Sequence, residues 1–187
     1  MSFPGIPSLD AAVMAFIQTH FHNTVTDTVF PIITSLGEAG IGWIVLSLVL
    51  LCFKKTRRTG GLVLIAMTVT LLFGELTLKN IICRLRPCNV FTDFPMLIAR
   101  PTSYSFPSGH TSSSFAAALI LTLRHKKVGW LAYIPAVLIA FSRIFLFVHY
   151  PTDVLAGILL GTLAALLTYF AAKAIQKRQA EKRTEQI

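Results

Sequence analysis

The chain has 187 residues, of which 54% are hydrophobic and only 13% charged, with a mean hydropathy of +0.68. A water-soluble domain carries about 25% charged residues to solvate its outside, so these figures exclude a soluble globule or a disordered chain and leave a membrane protein. The 17 Lys and Arg against 8 Asp and Glu give a formal net charge of +9, which suits nucleic acid, anionic lipid or cytoplasmic loops until the charges are placed.

In chain order, the first residues carry no basic group ahead of an apolar stretch, so the start reads as mature sequence rather than a cleavable signal. Leu9 to Phe21 mixes apolar positions with Asp10, Gln18 and His20 and predicts an amphipathic interfacial helix. Val25 to Leu36 is a half-span or a further span. Five runs without formal charge follow: Ala39–Phe53, Thr59–Gly74, Thr111–Leu123, Val128–Ser142 and Val154–Ala172. A bilayer core of about 30 Å takes about 20 apolar residues as helix, and only the last run, of 19 residues, approaches that alone. The others borrow charged residues at their ends, which draws Glu75, Lys79, His110 and Arg143 toward the membrane boundary, where ionisable groups are costly unless paired or functional. Short basic hairpins, Lys54–Arg58 and Arg124–Lys127, separate the first two runs and the third from the fourth. A longer Pro-, Thr- and Ser-rich connection runs from Pro87 to Pro107.

The expected fold is therefore all-α: a single-domain polytopic membrane helix bundle over 1–187. It has five to six transmembrane helices, an N-terminal interfacial or half-span region over 1–37 and a basic tail over 173–187. Twelve of the 17 basic residues lie in the segments 54–58, 124–127 and 173–183. With five spans these fall on one side, which the positive-inside rule makes the cytoplasm. Topology thus accounts for most of the charge without nucleic acid, and puts the C-terminus in the cytoplasm of a multi-pass cell-membrane protein. Lys79, Arg84, Arg86, Arg100 and Arg143 remain on the extracytoplasmic side. Cys52, Cys83 and Cys88 show neither metal-ligand spacing nor a disulfide framework.

The remaining cations sit in three segments: Lys79-Asn80-Ile81-Ile82-Cys83-Arg84-Leu85-Arg86-Pro87, then Pro107-Ser108-Gly109-His110, then Ser142-Arg143 followed by His149 and Asp153. In order and spacing these resemble the three-part signature of the type 2 phosphatidic acid phosphatase (PAP2) superfamily, with no departure at a signature position. The hydrophobic layout is similar to the compact bacterial membrane members. The resemblance implies a phosphohistidine formed at His149, orientation of that imidazole by Asp153, acid catalysis by His110, and no metal or other cofactor.

The residue chemistry points the same way. Lys79 and Arg86 are a heptad apart, and a helix drifts only about 20° over that interval, so both can face one site; Pro87 disfavours helix at Arg86, placing it at the helix exit. A guanidinium fork and an ammonium point charge suit phosphate, so Lys79, Arg86 and Arg143 are the expected anion ligands. Ser108 and Gly109 open the next span, where free backbone N–H groups hold phosphate oxygens and glycine permits close approach. His149 and Asp153 are four apart, the spacing at which a carboxylate fixes an imidazole tautomer and frees the other nitrogen for attack. His110 supplies and removes protons. Glu75, one turn before Lys79, is expected to pair with it and hold it toward the site, although a hydrogen bond to another helix would equally satisfy that carboxylate.

Singly, each of these residues has a plainer reading as a cap, a snorkelling side chain or a turn, and His149, Asp153 and His110 together could bind zinc, which would gain nothing beside three cations. Their conjunction favours an integral-membrane lipid phosphate phosphatase acting on a phosphomonoester or diphosphate held in the bilayer. Undecaprenyl diphosphate ranks first among the substrates the resemblance implies, and phosphatidylglycerophosphate or phosphatidic acid second. The alternative of another class is a noncatalytic phospholipid-binding or transport protein, for which cations alone would suffice. The expected partners are the lipid phosphate and the bilayer; the sequence does not specify an oligomeric state.

Overall fold

The structure is a computed structural model that describes residues 3–184. Among the described residues it holds nine α-helices and no strand. In chain order these are α1 (Ser8–His20), α2 (Thr24–Leu36), α3 (Ile41–Cys52), α4 (Arg57–Thr70), α5 (Lys79–Ile82), α6 (Pro87–Val90), α7 (Gly109–Arg124), α8 (Tyr133–Phe145) and α9 (Pro151–Thr184). A π-helical segment, Leu71–Leu78, joins α4 to α5 without a break.

The centre of the bundle is α7, which packs on α9, α4 and α8. Its sequence explains its position. Ser112, Ser114, Ala116, Ala117 and Ala118 are all buried, and small side chains let helix backbones approach where lipid supplies no hydrophobic drive between helices. Facing them on α9 are Gly157 and Gly161, where a Cβ would lie 2.7 Å from the Ser108 carbonyl oxygen and 2.3 Å from that of Ser112. A side chain at either position would force α9 away from the start of α7.

Outside this centre, large apolar side chains face outward, among them Val45, Leu48, Ile65, Leu72, Val137, Leu155, Leu159 and Leu163. That distribution suits lipid contact. Two apolar stretches, Arg57–Val90 and Pro151–Thr184, are long enough to cross a bilayer, and the α2–α3 pair reaches that length as one broken span bent by 43°. The bend lies at a short 3-10 turn, Glu38–Gly40, where Ala39 and Gly40 both adopt positive φ. Gly129–Phe145 is apolar but shorter.

The segment Val25–Leu36, expected as a half-span or a further span, is a helix started by an Asn23–Thr26 capping box and forms the first arm of the bent pair. Two features go beyond the sequence-based expectation. The tail after Lys173 continues α9 as helix to Thr184; 34 residues at about 1.5 Å each outrun a hydrocarbon core of about 30 Å, so its exposed basic end projects beyond the bundle. Finally, α1 buries two polar residues beside Met14 and Ile17. Asp10 and Gln18 are buried while Leu9 and Phe16 are exposed, because Gln18 Nε2 donates to the Ile144 and Phe145 carbonyls at the end of α8.

The basic hairpins lie together at one end, tied by a 3.0 Å hydrogen bond between Thr59 Oγ1 and His125 Nε2. The three cysteines are free thiols.

Candidate active site

Lys79, Arg86, Gly109, His110, Arg143 and His149 line one cavity of about 920 Å³. They come from four parts of the chain, and each is positioned by a local feature.

Lys79 follows the π-helical segment. Both Glu75 oxygens accept from its Nζ at 2.7 Å, and Lys79 itself is 5% exposed. The helix stops three residues later, where Cys83 takes a left-handed conformation (φ 52°). The heptad route from Lys79 to Arg86 on one continuous helix is therefore not the one used. Arg84 to Arg86 run outside helix, with Arg86 extended ahead of Pro87, and the two arginines reach opposite sides of the same histidine–aspartate pair.

On one side, Arg86 Nη1 lies 2.9 Å from His149 Nε2 and donates to the Val148 carbonyl at 2.9 Å. Its other nitrogens donate to the Ser103 carbonyl at 2.7 Å and the Ser103 hydroxyl at 3.0 Å. A guanidinium cannot accept a hydrogen bond, so Nε2 is the lone-pair nitrogen and Nδ1 carries the proton. Nδ1 faces Asp153 Oδ2 at 3.5 Å, longer than a well-formed hydrogen bond. Nε2 was expected to be free; instead it shares its lone pair with Arg86.

On the other side, Asp153 Oδ1 accepts from Arg84 Nη1 at 2.7 Å, while Oδ2 accepts from the Tyr150 N–H at 2.9 Å. His149 sits in the loop between α8 and α9, anchored by Phe147. That residue is fully buried at φ 59°, and its ring stacks on Phe94 with centroids 3.9 Å apart. Burial, with the positive charges of Arg86, Arg143 and Lys79, holds His149 well below the ordinary imidazole value.

Ser108 and Gly109 stand at the start of α7, but Ser108 does not offer a free N–H. It donates to the Asp153 carbonyl at 3.1 Å, and its hydroxyl accepts from Thr111 at 2.9 Å, so Ser108 locks α7 to α9. The first helical bond is from Ser112 N–H to the Ser108 carbonyl, which leaves the N–H groups of the intervening first turn outside the helical ladder. Gly109 is pressed against Glu75, whose Oε1 would lie 2.1 Å from a Cβ there. His110 Nε2 is 3.5 Å from Glu38 Oε2. Arg143 is 3% exposed and donates from Nη1 to Thr34 Oγ1.

The nine residues singled out in the sequence thus group around this cavity, seven lining its wall and Ser108 and Asp153 directly behind it. Sequence reasoning missed Glu38, Thr34 and Ser103, which carry no spacing signal, and also Arg84 and Asp10. Arg84 was visible as a cation in the first motif without an assigned partner; Asp10 was visible as the one acid of α1. Arg100 also lines the cavity, but its guanidinium is engaged by the carbonyls of Cys88, Thr92 and Phe94.

Residues 59–177 match the PAP2 superfamily. An undecaprenyl-diphosphatase of Sulfolobus acidocaldarius is 39% identical over 127 residues, which are 67% of this chain and 61% of that protein. The undecaprenyl-diphosphatase BcrC of Bacillus subtilis is 31% identical over 157 residues, 79% of this chain and 76% of that one. Among solved structures, a transmembrane PAP2-type phosphatidylglycerolphosphate phosphatase from Bacillus subtilis superposes with a TM-score of 0.73 at 29% identity. It covers 92% of this chain and 89% of the other.

Proposed function

The chain belongs to the PAP2 superfamily, and from that premise we propose that it is an integral-membrane lipid phosphate phosphatase whose first substrate is undecaprenyl diphosphate. The observation that carries the reading is the convergence of Lys79, Arg86, Arg143, His110 and His149 on one cavity. Binding alone would call for the cations but not for two histidines backed by a carboxylate.

In the proposed reaction the terminal phosphoryl group sits among Lys79, Arg86, Arg143 and the first turn of α7. His149 Nε2 attacks phosphorus as Arg86 turns from the imidazole to a phosphoryl oxygen. The P–O bond to the lipid phosphate breaks, and His110, which takes up a proton once the bound phosphate offsets the charges of Arg143, Arg86 and Lys79, donates it to that leaving oxygen. Asp153 stabilises the positive imidazole through Nδ1–H. In the second step His110, now neutral, takes a proton from water, the oxygen attacks the phosphohistidine, and orthophosphate leaves with His149 restored. The three cations stabilise charge as it spreads over the equatorial oxygens.

The two undecaprenyl-diphosphatase relatives favour a polyprenyl diphosphate; the phosphatidylglycerolphosphate phosphatase structure favours the second reading, a glycerophospholipid phosphate. Phosphate release by the purified protein from undecaprenyl diphosphate, phosphatidylglycerophosphate and phosphatidic acid in detergent separates them. The highest kcat/KM is expected on undecaprenyl diphosphate, and release from none of the three would remove the enzyme reading. The charge distribution supports an extracytoplasmic site and a cytoplasmic C-terminus. Single cysteines introduced near Arg100 and Lys126 should label from opposite faces, and equal access would contradict that orientation.

Glu75 is assigned the role of holding Lys79 against the start of α7. Glu75→Gln removes one charge from the pair that holds Lys79 and from the cavity wall, so the orthophosphate inhibition constant or turnover should change by roughly tenfold. Unchanged affinity together with unchanged turnover would remove the role.

A further inference from the structure

Asp10 is fully buried in the first turn of α1. Its Oδ1 accepts from the Thr152 N–H at 2.9 Å, and its Oδ2 from the Thr152 hydroxyl at 2.7 Å. Oδ2 also receives one arm of the Arg84 fork, Nη2, at 2.7 Å. The other arm, Nη1, reaches Thr152 Oγ1 and Asp153 Oδ1, each at 2.7 Å. The guanidinium carbon lies 3.8 Å over the Tyr150 ring. One arginine therefore bridges two buried carboxylates, which would otherwise repel each other in a medium of low dielectric.

The consequence falls on Asp153. With Arg84 on Oδ1 and the Tyr150 N–H on Oδ2, the carboxylate has one orientation, in which Oδ2 faces His149 Nδ1. Anchoring α1 does not by itself explain a buried acid. Gln18 and apolar contacts already hold that helix, and a buried ion pair is often no more stabilising than apolar groups of the same volume. Neither Asp10 nor Arg84 lines the cavity, so neither is placed to touch the phosphate.

We propose that Asp10 and Arg84 are positioning residues for the reaction: α1 delivers a carboxylate that holds the Arg84 fork on Asp153, and Asp153 in turn aligns His149. The inference rests on the reading of His149 as nucleophile and Asp153 as its orienting group.

The test uses the full chain in detergent with undecaprenyl diphosphate as substrate and orthophosphate as competing anion. It compares Arg84→Lys, Asp10→Asn and the double variant, with His149→Ala alongside. Lysine keeps the charge opposite Asp10 but lacks a fork that can span two carboxylates. Misalignment of a reacting group by about 1 Å costs about 10²-fold, so kcat should fall by that order in Arg84→Lys. Because the change would not touch ground-state anion binding, KM and the orthophosphate inhibition constant should stay within about twofold. Asp10→Asn should lower kcat in the same way, and the double variant should lose no more than Arg84→Lys alone, since both residues act through Asp153. Wild-type kcat in both single variants overturns the inference, as does a loss carried by weaker orthophosphate inhibition. If Arg84→Lys does not fold, Asp10→Asn decides by the same constants. Turnover retained by His149→Ala would instead remove the underlying reading. An inactive His149→Ala beside fully active Arg84→Lys and Asp10→Asn would sink this inference alone.

Discussion

Replacing His149 with alanine is expected to lower phosphate release by about 10⁴-fold or more, with lipid binding nearly unchanged, because loss of a nucleophile that acts as part of a unit removes most of the unit's effect. The imidazole is buried and shares its cavity with Lys79, Arg86 and Arg143, so in the proposed reaction alanine would leave the cations assigned to the anion and take only the nitrogen assigned to attack. The same surroundings set a pH dependence. Burial and the neighbouring cations depress the His149 value below that of a free imidazole, so the neutral, nucleophilic form persists as pH falls through about 6.5 and is lost only below it. Protonation of His149 should therefore not limit kcat at saturating substrate as pH falls through that value, and an acid limb in kcat assigned to His149 at or above it would contradict the assignment of the attacking group.

The second large effect belongs to His110. General acid–base groups contribute about 10²- to 10⁴-fold, and His110→Ala should reduce kcat on a lipid diphosphate within that range. The loss should shrink on p-nitrophenyl phosphate, whose leaving oxygen departs without a proton. An equal loss on both substrates would place His110 in binding rather than proton transfer. The nearby Glu38 carboxylate, 3.5 Å from Nε2 at the α2–α3 bend, puts an acceptor beside the nitrogen from which the proton would leave.

Much of this site is legible in the amino-acid sequence, for physical reasons that apply residue by residue. Charge-free runs mark helices in lipid because a backbone in hydrocarbon must satisfy itself, and each of the five runs coincides with helix in large part. Glu75 and Lys79 lie one helical turn apart, and their 2.7 Å contact needed only that spacing. The extended backbone of Arg86 is the conformation that Pro87 favours in the residue before it, although the helix carrying Lys79 ends earlier, at Ile82.

What was not readable depended on tertiary placement. Nothing local announces the left-handed Cys83, which sends Arg84 and Arg86 to opposite sides of His149 and Asp153. The bend at Ala39 and Gly40 brings Glu38 over His110 through packing between helices. Asp10 has the composition of a solvated helix face, and only the path of α8 and α9 shows that this face is covered by Thr152 and Arg84. Ser108 illustrates the opposite error: a helix start suggests free N–H groups, yet its own is consumed by the Asp153 carbonyl 45 residues away in sequence.

The proposed reaction passes through a covalent phosphoryl group on His149, which a trapping experiment can detect. Undecaprenyl diphosphate labelled in its terminal phosphate is mixed with the purified full chain, quenched in base within a turnover, and the labelled peptide is identified. An acid-labile, base-stable label is expected on the peptide carrying His149, absent from His149→Ala. Steady turnover with no label on that peptide, under quench conditions that preserve authentic phosphohistidine, would contradict it.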